Sequence, residues 1–175
     1  EDYAIANNYF AGLAETGRQI KALAEFFRGE TEPTVLIVFG DHKPWWGDGN
    51  STYSMFGLNL DRTTEEGFYH YFDTPYLIWA NDAAKAALGN DFVGDGGRIA
   101  PSMLMERFFT LAGWQGPKYM QAIRELEKHT LFVNRERWLE NGVLTGADAA
   151  EEPQWLKDFR QVEYYEKHRL EGEGK

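Results

Sequence analysis

The stretch TVLIVFGDHKPWW, residues 34–46, decides how the rest of the chain is read. Pro33 precedes it, and Val35 to Phe39 form an unbroken apolar run rich in β-branched and aromatic types. A run this short, without polar alternation, predicts a strand covered on both faces, of the kind that lies inside a parallel sheet. Gly40 ends the run and lets the backbone bend; Asp41 and His42 follow side by side. Ligands of open α/β sheets sit at the carboxyl ends of strands. A carboxylate and an imidazole at such an edge are a metal-ligand pair or an acid/base pair. Consecutive residues on a straight strand point to opposite faces, so both reach one ion only if the chain has turned, as Gly40 permits.

Upstream, Tyr9, Leu13, Ile20, Leu23 and Phe27 recur at helical spacing, which predicts a core-packing helix over residues 7–28, stopped by Gly29. Downstream, no clear element is expected before Thr74, a connection of about thirty residues, long enough to be functional. Its aromatics Trp45, Trp46, Tyr53 and Phe56 could wall a substrate pocket or roof the sheet; residues 61–66 read as its exposed tip. PYLIWA, residues 75–80, predicts a second buried strand, after which Asp82 N-caps a short helix ending at Leu88 and Gly89. The glycine-rich loop that follows lacks a phosphate-loop lysine, and its Asp91 and Asp95 read as turn formers. Helices are expected from Pro101 with Met103, Leu104, Phe108 and Leu111 inward, and from Pro117 with Met120, Ile123 and Leu126 inward. Residues 131–144 are ambiguous, residues 146–152 read as a linker, and Trp155, Phe159 and Val162 suggest a last helix.

A chain of 175 residues is long enough to bury a core of its own, and 6 Trp, 9 Tyr and 12 Phe supply the material. With 28 acidic against 18 basic residues the net charge is −10, which argues against a nucleic-acid partner. The absence of cysteine excludes disulfides and thiolate metal sites. No apolar run approaches the roughly 20 residues that span a bilayer. The chain starts abruptly in the lead-in to a helix, so a fragment of a longer protein is expected.

Of the four histidines, His129 and His168 sit among charges near helix ends, and His70 lies in the aromatic run FYHYF. His42 differs in having a carboxylate neighbour at the end of a strand. The order hydrophobic strand, Gly40-Asp41-His42-x-Pro44, long loop, then Thr74-Pro75-Tyr76-Leu77-Ile78-Trp79-Ala80-Asn81 resembles the C-terminal part of the lipoteichoic acid synthase-like branch of the sulfatase/alkaline phosphatase superfamily. The helix before the strand, the Ser102-containing helix after it and the closing DFRQVEYYEKH fall in the same order.

That resemblance implies an α/β fold, a layered sheet flanked by helices and alkaline phosphatase-like, present here as an incomplete C-terminal portion. Residues 1–145 would belong to the sulfatase-like catalytic domain, and residues 146–175 would be a linker and helix packing on it. Asp41 and His42 would be ligands of a divalent metal (Mn, Mg or Zn), whose oxygen and nitrogen donors suit such ions. Read from the residues themselves, Lys43, Trp45 and Trp46 are the candidate substrate contacts; Lys43 stands where the family often has an apolar residue, and could add positive charge for an anionic head group or sit in solvent. The nucleophile and remaining ligands are expected upstream, so no catalytic residue is assigned in this chain. The parent would be an enzyme, a metal-dependent phosphoglycerol or sulfate/phosphate-ester transferase or hydrolase, and this segment alone would be inactive. Its partners would be the upstream part of the same protein and an anionic, phospholipid-derived or ester substrate. The location implied is extracytoplasmic, with the parent anchored in the bacterial cell membrane. The alternative is a non-catalytic glycan-binding or docking module built on Trp45, Trp46 and Tyr53.

Overall fold

In the computed structural model, which describes residues 1–133, 137–140, 143–146 and 151–173, strand β1 (Val35–Phe39) pairs with β2 (Tyr76–Ala80) in an antiparallel ribbon. The register sets Val35 opposite Ala80 and Phe39 opposite Tyr76. Both strands cover the residues expected, but not in the setting expected. β1 is half of a two-stranded antiparallel sheet, not an interior strand of a parallel one, and its residues are half-buried or exposed. The apolar run encodes a need for cover that the described residues only partly meet. The architecture is thus mixed α/β, with two separate two-stranded sheets rather than one layered sheet among the described residues.

The chain forms two units, Glu1–Phe92 and Val93–Lys175. In the first, helix α1 (Asp2–Arg28) precedes β1. Gly29 keeps a right-handed φ of −83°, so the helix is not stopped by a left-handed glycine. The stop comes from Asn81, whose Nδ2 donates to the carbonyls of Phe27, Glu30 and Glu32 at 3.1, 3.3 and 2.9 Å. The same residue caps helix α4 (Asp82–Leu88), its Oδ1 accepting from Ala84 N–H at 2.8 Å, so the cap is Asn81 and not Asp82. Gly89, with φ 65°, closes that helix as expected.

The long connection between the strands holds two helices that the sequence reading leaves out, α2 (Ser51–Met55) and α3 (Glu65–Phe72). Thr64 N-caps α3 through Gly67 N–H, and Glu65 and Glu66 sit favourably in its first turn. Ala6, Trp46 and Tyr53 form the buried centre of this unit, with Tyr9 and Leu60 against it.

The second unit packs α5 (Leu104–Leu111), α6 (Lys118–Leu126) and α7 (Gln154–Glu173) around Met103, Ile123, Leu126 and Phe159. The ambiguous segment contributes an antiparallel pair, β3 (Arg137–Glu140) and β4 (Val143–Gly146). Of the expected linker, residues 147–150 lie outside the described residues. In this unit Glu106 is buried, its Oε1 held at 2.6 Å by both Arg124 Nε and Thr110 Oγ1.

Candidate metal-ligand edge

The carboxyl end of β1 is tied to the start of β2 by three contacts. Gly40 N–H donates to Pro75 O at 3.0 Å, Thr74 Oγ1 donates to Gly40 O at 2.6 Å, and Lys43 Nζ donates to Asp73 O at 2.6 Å. Gly40 is needed for space rather than for bending: a Cβ there would stand 2.9 Å from Thr74 Cβ. At the other end of the ribbon, Thr34 N–H donates to Asn81 Oδ1 at 3.0 Å. The two sequence motifs are therefore each other's structural partners.

Past Gly40 the chain leaves the strand, and the two candidate ligands converge. Asp41 Oδ1 accepts from the His42 backbone N–H at 2.9 Å, which leaves Oδ2 open. His42 Nδ1 lies 2.8 Å from the Lys43 carbonyl oxygen. A carbonyl only accepts, so Nδ1 carries a proton and the lone pair of a neutral ring is on Nε2. A backbone carbonyl holding the second nitrogen is the usual way a metal-binding imidazole is oriented. Nε2 and Asp41 Oδ2 then face each other at 3.5 Å, both side chains being exposed. Two ligands of one tetrahedral zinc, each about 2.1 Å from it, stand about 3.4 Å apart. The pair has the spacing of two corners of a coordination shell. With His42 protonated, the same geometry is an ion pair. No further His, Cys, Asp or Glu joins it to make a group of three among the described residues.

The proposed substrate contacts separate. Trp45 is 67% exposed and open at this edge. Trp46 is 6% exposed and belongs to the core: it stacks on Phe56 at 5.3 Å and meets Tyr9 and Tyr53 edge-on. Burial removes Trp46 from a role as pocket wall, and Tyr53, hydrogen-bonded to Pro44 O at 2.8 Å, is buried with it. A glycan surface built on Trp45, Trp46 and Tyr53 together is thereby reduced to Trp45. The Lys43 ammonium spends one donor on Asp73 O, a tie that no sequence signal announces. Elsewhere, His70 Nδ1 meets Asn59 O at 3.0 Å and His129 stacks flat on Trp155 at 5.6 Å, both structural contacts.

Over 172 residues this chain is 23% identical to a Rhizobium meliloti (strain 1021) protein described as "Putative cyclic beta-1,2-glucan modification protein". The match takes in 93% of this chain and 25% of that protein, so the chain spans about a quarter of the length of the curated relative it matches. No family model matches the chain. No solved structure matches it either.

Proposed function

We propose that this chain is one segment of a metal-dependent enzyme that transfers a phosphoglycerol, or another phosphate- or sulfate-ester group, to a glycan. The observation that carries the reading is the convergence of Asp41 Oδ2 and His42 Nε2 at 3.5 Å, each oriented by a separate backbone hydrogen bond. These two atoms would hold a divalent cation (Mn, Mg or Zn) jointly with donors from outside the described residues. A bound cation of this kind polarises a phosphoryl or sulfuryl oxygen. Asp41 and His42 would contribute the orientation of the ion, and no nucleophile is assigned to this chain. The glucan named in the relative's description supports a saccharide acceptor, and Trp45 offers an exposed aromatic face for it beside the ligand pair. The resemblance to lipoteichoic acid synthase-like proteins supports alkaline phosphatase-like layering and an extracytoplasmic site of action. Among the described residues no helix is long and apolar enough to cross a membrane, so an anchor would have to come from elsewhere in a parent protein.

The test is titration of the chain with Mn²⁺, followed by electron paramagnetic resonance, and with Zn²⁺ by calorimetry. Asp41→Ala and His42→Ala should each weaken binding by at least about tenfold, since even groups behind the ligands are worth that much. Equal affinity in the wild type and both variants would remove the metal reading. Hydrolysis of a phosphodiester or sulfate ester by the chain alone would contradict the absent nucleophile.

A further inference from the structure

The β1–β2 ribbon is a surface built for more cover than it has. All residues of VLIVF and YLIWA are apolar, and cross-strand pairs share a face, so both faces are apolar along the whole ribbon. Of these residues only Ala80 is fully buried, while Phe39 is 57% and Leu77 47% exposed. The edge of β1 is open as well. The bonds Asn81 N–H to Thr34 O and Gly40 N–H to Pro75 O mark the hydrogen-bonded pairs of the ladder. By the alternation of an antiparallel pair, the N–H and C=O groups of Val35, Ile37 and Phe39 point away from β2. Among the described residues no hydrogen bond engages them. β1 carries no lysine, proline or inward charge of the kind that protects a natural edge. Two-stranded ribbons of this size are marginal by themselves.

We infer that the outer edge of β1 receives a further strand, and its apolar faces further cover, from polypeptide outside these 175 residues, which makes β1 an interior strand. The length relation to the Rhizobium meliloti protein supports this occupant over a second copy, because three quarters of that relative lies outside the match. An apolar strand added along Val35, Ile37 and Phe39 satisfies the outward backbone groups and explains why the run shows no alternation. Its end would lie beside Gly40, where donors to complete the Asp41–His42 pair are needed. The inference goes beyond the metal reading and does not depend on it.

Hydrogen exchange, read amide by amide, tests it on the 175-residue chain and on the product of the complete reading frame that contains it. The Val35, Ile37 and Phe39 amides should exchange rapidly in the chain alone and on the order of a hundredfold more slowly in the longer polypeptide. Ile37→Pro removes an outward N–H and no β1–β2 bond, so it should leave the ribbon formed in the chain but abolish the added protection in the longer protein. Three results would overturn the inference: a reading frame no longer than this chain, equal exchange in both polypeptides, or protection in the chain alone with the mass of a dimer. Metal titration reads separately, so a failed ligand pair and a failed edge are distinguishable.

Discussion

Asn81 gives the sharpest test of how the first unit is held together. It is 1% exposed and joins three elements: Oδ1 accepts from Thr34 and Ala84, and Nδ2 donates to Phe27, Glu30 and Glu32. Asn81→Asp keeps the size and the accepting oxygen but turns the donor toward three carbonyls into a second acceptor. Each lost hydrogen bond is worth about 1 kcal/mol net, and the charge left buried without a donor adds more, giving a cost of about 3–5 kcal/mol at neutral pH. With a urea m-value of about 2 kcal/mol/M, that moves the unfolding midpoint down by roughly 2 M. The carboxyl introduced there is held protonated more readily in the folded chain than in the unfolded one, because carbonyl oxygens surround it. The variant should therefore recover stability as pH falls, when a protonated oxygen can donate to one of those carbonyls. Asn81→Ala loses the cap and the donor without adding charge, and should show a cost of about 2–4 kcal/mol with no such pH dependence. A loss below about 1 kcal/mol for Asn81→Asp at neutral pH, or one unchanged in acid, would refute the assigned hydrogen bonds.

Gly40→Ala pushes a methyl to 2.9 Å from Thr74 Cβ and should destabilise the ribbon by about 1–3 kcal/mol by urea titration, with partial rescue by Thr74→Ser. Trp46→Ala empties the centre of the aromatic cluster and should cost about 3–5 kcal/mol, whereas Trp45→Ala should leave the thermal midpoint within error and lower only glycan affinity. In the second unit, burial and the neighbouring Glu106 carboxylate raise the Glu127 carboxyl above the ordinary range, against the opposing pull of Arg107 and Arg124. An acid whose folded-state pKa is raised holds its proton longer folded than unfolded, so stability is lost as pH rises from the ordinary glutamate range through the raised value. Glu127→Gln should remove that loss, and the stability difference from wild type, measured by denaturant titration across the acid range, should grow as pH rises and then level off.

What the sequence made legible was whatever rests on local pattern. β1, α4, α6 and the helical character of residues 7–28 follow from apolar spacing and from breakers such as Gly89; the structure places these elements within a few residues and starts α1 earlier, at Asp2. The environment of β1 was not legible, since the same apolar run serves an interior strand and a ribbon whose cover lies elsewhere. Helix α3 was missed although its signal is present: Thr64 followed by Glu65 and Glu66 is a start, and Gly67 is packed so tightly that a Cβ would meet Asp61 O at 2.2 Å. Its aromatic run FYHYF hides the helical period. The hairpin of β3 and β4 was missed because the segment mixes apolar and charged residues without clear alternation. At the site, the adjacency of Asp41 and His42 was legible, but their orientation was not. Nor did sequence separate Trp45 from Trp46, because neighbours in a turn can face solvent and core respectively.

The hydrogen bonds also distribute the two motifs differently from a reading in which every distinctive residue serves chemistry. Gly40, Thr74 and Asn81 have complete structural accounts: a close approach, a hydroxyl closing onto a carbonyl, and a hub for three elements. Subtracting them leaves Asp41, His42 and Trp45 as largely exposed side chains with a donor atom or a ring face open to solvent. Rigid support directly beneath an exposed oxygen–nitrogen pair is what a metal site needs, because an ion gains most from donors already held at its spacing. If the pair were instead a solvated ion pair, replacing Asp41 by Asn would cost little and nothing else at this edge would respond. As a metal pair it should respond to divalent cations: Mn²⁺ should broaden the His42 ring and Trp45 indole proton resonances at low occupancy while leaving His129 and His168 sharp. Uniform broadening of all the histidines would mean that the ion has no preferred seat at this turn.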